Sequence, residues 1–189
     1  MSISVIGSGP IESVLTRRFA ASGIDVSITN SRGASSLRAL VQELGPHVRA
    51  VDLPEALEVD AIILTVLHAT VPELAGEIDW AGRTVIDATN AINFSDFSPA
   101  DLDGRLASDI IAETLPGTRA VKAFSTLPTA LLENPTEAGG RRVILYLVTM
   151  RQHANRSPTS LSNFATRQSI LVQSRKAVGC NSLAKICRA

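Results

Sequence analysis

Apolar positions along the first 147 residues follow two patterns that alternate with each other. Short apolar runs, rich in β-branched residues, recur at residues 3–6, 24–28, 48–51, 60–67, 84–90, 119–124 and 143–147. Between them the spacing changes to three or four, first at Ile11, Val14, Leu15, Phe19 and Ala20, then within residues 35–44, 54–58, 71–78 and 109–115. The runs predict strands and the wider spacing predicts helices. The run at 60–67 is apolar almost throughout, as a parallel strand covered on both faces requires. Gly23 and the pair Gly45-Pro46 stand where the first two helices should stop. Strands that alternate with helices predict an α/β fold, a doubly wound, mostly parallel sheet with helices on both faces.

The first turn carries the clearest chemistry. The first strand ends at Gly7, and Ser8, Gly9, Pro10 and Ile11 lead into a helix. Free N–H groups and the positive dipole end at such a helix start attract phosphate, and glycines let the backbone come close to it. Pro10 suits the first helical turn, where its missing N–H costs nothing. A third small residue is expected three positions after Gly9, but Glu12 stands there. Glu12 must either push the helix off the strand or point outward. The second strand ends in Asn30, Ser31 and Arg32. An NAD site would carry an acid here to accept from the ribose hydroxyls. A hydroxyl and a fixed cation instead suit a 2′-phosphate, so NADP is expected over NAD.

Other ionisable side chains suggest less. His68 follows a strand end and is either an ordinary loop residue or a contact for a substrate. Lys122 either steers an anionic substrate or points to solvent. Asp87 is expected to bond a neighbouring loop rather than act as a base, and His47 in its Gly-Pro turn suggests nothing. No nucleophile, acid–base pair or metal cluster stands out, so no catalytic residue is assigned. Cys180 and Cys187 are too few for a disulfide framework or a zinc site. No apolar run nears the roughly 18 residues of a membrane span, and with no basic n-region or cleavable apolar segment before the first strand, no leader is expected. A cytoplasmic protein is expected, with no membrane or nucleic-acid partner.

Net charge is zero over 189 residues, yet the charge is unevenly placed. Residues 1–147 hold 11 basic and 18 acidic side chains, while residues 148–189 hold seven basic and no acidic ones. Two compositions are joined near residue 147.

Four segments together resemble the NADPH-dependent coenzyme F-420 (deazaflavin) reductases: Gly7-Ser-Gly-Pro-Ile, Asn30-Ser-Arg-Gly, Asp87-Ala-Thr-Asn90 and Val121-Lys-Ala-Phe-Ser-Thr-Leu-Pro128. A related group is the reductase domain of the six-transmembrane metalloreductases. The resemblance spans about residues 1–147. It implies that Ser8 to Ile11 meet the pyrophosphate and that Ser31 and Arg32 hold the 2′-phosphate. It also implies that the strand ends at Val66, Asn90 and Ala123 surround the nicotinamide and its redox partner. The chain departs from the family at Glu12, and at Leu67, Ala91 and Ser125, where Pro, Pro and Asn are usual.

The family continues after its last strand with a turn like Ser-Gly-Asp-Asp-Ala. Codons permitted for Tyr146 to Arg151 spell that turn when read in the adjacent frame. Residues 148–189 are therefore expected to be a frameshifted tail beginning near Tyr146, not a second domain. The other readings are a helix over 164–178 docked on the domain, or a basic arm.

Residues 1–147 are thus expected to form a Rossmann-type domain that binds NADP(H) through Gly7, Ser8, Gly9, Pro10, Ile11, Asn30, Ser31, Arg32, Val66, Asn90 and Ala123. The expected activity is hydride transfer to a small-molecule acceptor, coenzyme F-420 first, with a flavin or ferric chelate second. Such transfer rests mainly on positioning two rings. The rival reading is a non-catalytic NADP(H)-binding redox sensor. A homodimer is left open.

Overall fold

The computed structural model describes residues 2–133 in full and, beyond them, the backbone of two strands at 143–149 and 167–172. Six parallel strands, β1 (Ile3–Ile6), β2 (Val26–Thr29), β3 (Val48–Ala50), β4 (Ala61–Leu64), β5 (Thr84–Asp87) and β6 (Arg119–Ala123), are each shorter than or equal to their sequence runs. Strands β7 (Val143–Thr149) and β8 (Arg167–Val172) add antiparallel to the β6 edge. The sheet order is β3-β2-β1-β4-β5-β6-β7-β8, a Rossmann-type arrangement.

Helices cover both faces. On one side α1 (Pro10–Ala21), α2 (Arg38–Leu44) and α6 (Thr129–Glu133) pack Leu15, Phe19, Val41 and Leu132 against Val5, Ile28, Ile63 and Ile86. On the other, α3 (Leu53–Leu57), α4 (Val71–Leu74) and α5 (Ala107–Thr114) pack Leu57, Val71 and Ile111 against Ile6, Ile62, Leu64 and Val85. Successive residues of β4 feed opposite cores, which is why its sequence shows no polar alternation. The predicted helices over 35–44 and 71–78 are each divided or shortened: a 3-10 turn precedes α2, and α4 stops at Leu74.

Register fixes what meets at the carboxyl edge. Thr29, Ile6, Leu64, Asp87 and Lys122 lie in one row across the sheet. The residues that follow each of them, Asn30, Gly7, Thr65, Ala88 and Ala123, therefore line the same rim. Sheet order reverses its direction of growth at β1 and β4, and ligands of open α/β sheets bind in the crevice outside the strand ends there.

The alternative of a helix over 164–178 is corrected in its centre, where Arg167–Val172 is a strand. Its Ser-Ile-Leu-Val segment suits a pleated edge, and β7 provides the partner. The frameshift reading and the basic-arm reading fall on residues that, these strands aside, lie outside the described ones.

Candidate functional site

The cradle begins where β1, β2 and β4 end together. The Gly7 N–H donates to the Thr29 carbonyl at 2.9 Å, and both the N–H and the Oγ1 of Thr65 donate to the Ile6 carbonyl, at 2.9 and 3.0 Å. A Cβ at Gly7 would lie 2.2 Å from Thr65 Oγ1 and 2.8 Å from its carbonyl oxygen. No side chain fits there without moving backbone. Gly9 differs: it is the extended N-cap of α1, and a Cβ there would meet nothing within 4 Å among the described residues. That Cβ would meet open space at the N-cap of α1. The first main-chain bond of α1 runs from Ser13 N–H to the Gly9 carbonyl, so the Ile11 and Glu12 amides come before the ladder. No side chain among the described residues caps them. Proton donors, helix dipole and room for an anion coincide here.

At the end of β2 the loop is folded by Asn30. Its Oδ1 accepts from the Arg32 N–H at 2.8 Å and from Ser36 Oγ at 3.1 Å, and its carbonyl accepts from the Gly33 N–H at 3.1 Å. Gly33 takes φ +81°, which turns the chain so that Ser31 and Arg32 stand exposed on the rim. The Asn30 Nδ2 is buried and has no hydrogen-bond partner among the described residues.

Of the two expectations for Glu12, the outward one is ruled out. The residue shares one helix face with Leu15, Thr16 and Phe19, and that face lies on the sheet, leaving Glu12 only 3% exposed. Its Oε1 has no hydrogen-bond partner among the described residues. Burial pushes its carboxyl up to about 7, and the Arg32 guanidinium pulls part of the way back. Sequence alone flags an acid at a position made for glycine, but not its direction.

Farther along the rim, Val66 is half-buried, Asn90 is exposed, and Ala123 is 1% exposed with its methyl in the core. The Asn90 Nδ2 donates to the Ser125 carbonyl at 3.4 Å, which ties the β5 and β6 ends together. Phe124, just after Ala123, is buried with φ +62°, a conformation that bulky residues hold only when their surroundings impose it.

Lys122 does not point to solvent. Its Nζ donates to Asp87 Oδ2 at 3.0 Å and to the Thr89 carbonyl, while Asp87 Oδ1 accepts from the Thr89 N–H at 2.9 Å. Asp87 thus bonds its own loop, as its place on an apolar strand suggested. His68 Nδ1 sits 3.5 Å from Thr89 Oγ1. Its pKa is lowered mainly by burial, against a raising effect from Asp87 and a further lowering from Lys122.

The sequence reading passed over the apolar side chains that crown this end. Phe94 and Phe97 stand edge to face, with centroids 6.5 Å apart, and both are exposed, as are Leu67 and Leu106. Two phenylalanines in a loop of Asn, Ser and Asp were the available signal. A separate cleft of about 380 Å³ lies between α2 and β3, lined by Arg38, Gln42 and Arg49 among others. Ala34 and Ser35, which follow the loop that presents Arg32, and Ala50 at the end of β3 also line it. Among the described residues no helix is long and apolar enough to cross a membrane.

Comparison with known proteins agrees with this geometry. A family model described as NADP oxidoreductase, coenzyme F-420-dependent, matches residues 2–91. A hypothetical protein of Sinorhizobium meliloti is 40% identical, with a TM-score of 0.72, over 77% of this chain and 72% of that one. A protein of Arthrobacter, described provisionally as an F-420-dependent NADP reductase, shares the fold at 22% identity and a TM-score of 0.62, over 74% and 69% of the two chains. A reductive aminase of Aspergillus terreus, solved with NADPH and ethyl levulinate, shares it at 20% identity and 0.53, over 69% of this chain and 42% of its own. No curated protein sequence matches. With a glycine cradle at the point where the sheet reverses, an arginine beside it, and a relative this similar over most of both lengths, the chain belongs to the family of coenzyme F-420-dependent NADP oxidoreductases.

Proposed function

We propose that this chain transfers a hydride between NADPH and a deazaflavin of the coenzyme F-420 type. The observation that carries the reading is the Gly7–Gly9 cradle beside the Asn30-folded loop that presents Arg32. The residues fit the nucleotide. Gly9 leaves in front of α1 the room that a Cβ would fill, and the buried Asn30 Nδ2 is a donor still without an acceptor. The amides of Ser8, Gly9, Ile11 and Glu12 would hold the pyrophosphate, and Ser31 and Arg32 the 2′-phosphate. Bound NADPH supplies the hydride.

The chain's own residues position the two rings and keep water away from them. Val66, Asn90 and the backbone of Ala123 flank the nicotinamide end of the rim. Phe94 and Phe97, exposed and edge to face, offer aromatic faces suited to a planar fused ring. Burial disfavours the charged form of His68, and Lys122 is paired with Asp87.

Two measurements test this. Fluorescence titration of the Arg32→Ala variant should show NADPH weakened by about 1.5–3 kcal/mol, the scale of a charged hydrogen bond, with NADH nearly unchanged. NADPH mixed with deazaflavin, flavin and ferric chelates should lose its reduced-nicotinamide absorbance fastest with deazaflavin. Tight NADPH binding without turnover of any acceptor would instead identify a sensor.

A further inference from the structure

The loop that leaves β5 closes on itself soon after Asn90. Ile92 and Pro99 face each other in an antiparallel bridge, the Asn93 N–H donates to the Ser98 carbonyl at 2.8 Å, and the Ala100 N–H donates to the Ala91 carbonyl at 3.0 Å. Inside this hairpin three side chains form a clip. The Asn93 Nδ2 donates to Ser98 Oγ at 2.9 Å, and Ser98 donates to Asp96 Oδ1 through Oγ at 2.8 Å and through its N–H at 3.0 Å. The Phe97 N–H donates to the Asn93 carbonyl at 2.8 Å, and Phe97 is held at φ +56°. That conformation favours glycine or asparagine, so the backbone gives no reason for a bulky side chain here. Packing gives none either: Phe97 is 73% exposed and Phe94 58%, and each ring's aromatic neighbour among the described residues is the other. Strain of this kind gathers at ligand sites, and exposed apolar side chains set on a rigid support mark contact surfaces. The hairpin stands on the ligand side of the sheet, because β5 delivers it from its carboxyl end. Phe94 follows Asn90 by four residues, a reach of at most about 14 Å from the rim. Two rings fall far short of the roughly 20 residues a side that a stable protein interface needs, whereas one planar molecule needs no more than their faces.

We propose that the hairpin 91–100 is the recognition element for the hydride acceptor: Phe97, with Phe94 beside it, packs on the acceptor's planar ring, and the Asn93–Ser98–Asp96 clip holds Phe97 ready for it. The proposal rests on the reading that the chain reduces a planar acceptor. It makes Phe97 a specificity residue for fused rings, and Asn93, Asp96 and Ser98 positioning residues that act through it. Because the rings are set in place before the ligand arrives, little freedom is lost when it binds. The hairpin itself exchanges no proton and no electron.

The test is the affinity of deazariboflavin, read by its own fluorescence with NADP+ present so that no hydride moves. Phe97→Gly removes the ring and relieves the backbone. It should lose about tenfold in deazariboflavin affinity, yet unfold at the wild-type temperature or above it. Ser98→Ala should lose affinity too, by less, and Ser98→Thr, which keeps the hydroxyl, should retain it. NADPH affinity should stay unchanged in all three, which separates the hairpin from the nucleotide cradle. Wild-type deazariboflavin affinity in Phe97→Gly overturns the proposal and leaves the hydride-transfer reading standing. A Phe97→Gly protein that unfolds at a lower temperature also overturns it, by giving the ring a structural task. Sedimentation that shows a dimer dissolved by Phe97→Gly would assign the rings to a second copy of the chain instead. A wild type that binds NADPH but no deazariboflavin removes the acceptor reading and this inference with it.

Discussion

Two glycines two residues apart in the same turn answer to different constraints, and substitution separates them. At Gly7 the obstacle is the protein itself: Thr65 closes over the position through both its side chain and its backbone. Gly7→Ala should cost about 1–3 kcal/mol in urea unfolding, the scale of an overpacked core, with nucleotide affinity falling alongside. At Gly9 the described protein leaves space, so alanine should cost about 1 kcal/mol at most, as a poorer helix cap. Its methyl would instead sit where a phosphate must come, and NADPH affinity should fall at least tenfold. A Gly9→Ala protein that binds NADPH like the wild type would show that the anion lies elsewhere.

Among the elements, β5 and β6 are joined by more than their ladder. Asp87 and Lys122 are paired in register, and their side chains meet in a partly buried ion pair at the carboxyl end of both strands. Removing one partner strands the other: Lys122→Met leaves the Asp87 carboxylate buried with only the Thr89 N–H. A loss of about 3 kcal/mol in denaturant unfolding is expected, as for other broken buried pairs. Replacing both by apolar residues should cost less than the sum of the two single changes. If the double change costs the full sum, the pair is not coupled and serves only as two separate loop contacts.

At the scale of the molecule, one side chain ties stability to pH. Burial raises Glu12 from 4.5 to about 7, so the folded chain holds this proton more tightly than the unfolded chain. Below pH 4.5 both states carry it and nothing is lost. As pH climbs toward 7 the unfolded state ionises first, so the folded state loses ground, and above 7 the loss is constant. Converted at 1.36 kcal/mol per unit, the difference is about 3 kcal/mol. Glu12→Gln should therefore gain on the wild type by roughly 2–3 kcal/mol between pH 4.5 and 7.5 in paired unfolding curves. A constant offset between the two across that range would show Glu12 to be solvated after all. Bound nucleotide adds to stability by mass action and must be absent from these curves.

What the linear chain decided by itself is local. Apolar runs without alternation dictate strands buried on two faces, Gly7-Ser-Gly-Pro dictates a helix start open to an anion, and the Asn-Ser-Arg end of β2 dictates a cationic rim. Each depends on neighbours within a few residues, which sequence spacing records. Tertiary structure decided the rest, because direction and partnership depend on what comes across. Glu12 turned inward because its helix face is the one that the sheet covers, and Lys122 turned to Asp87 because strand register set them side by side. The segment 167–172 became a strand because β7 left an edge to pair with. Thr65 became the wall behind Gly7 only when β4 settled beside β1, 58 residues away in sequence. No local pattern carries that distance.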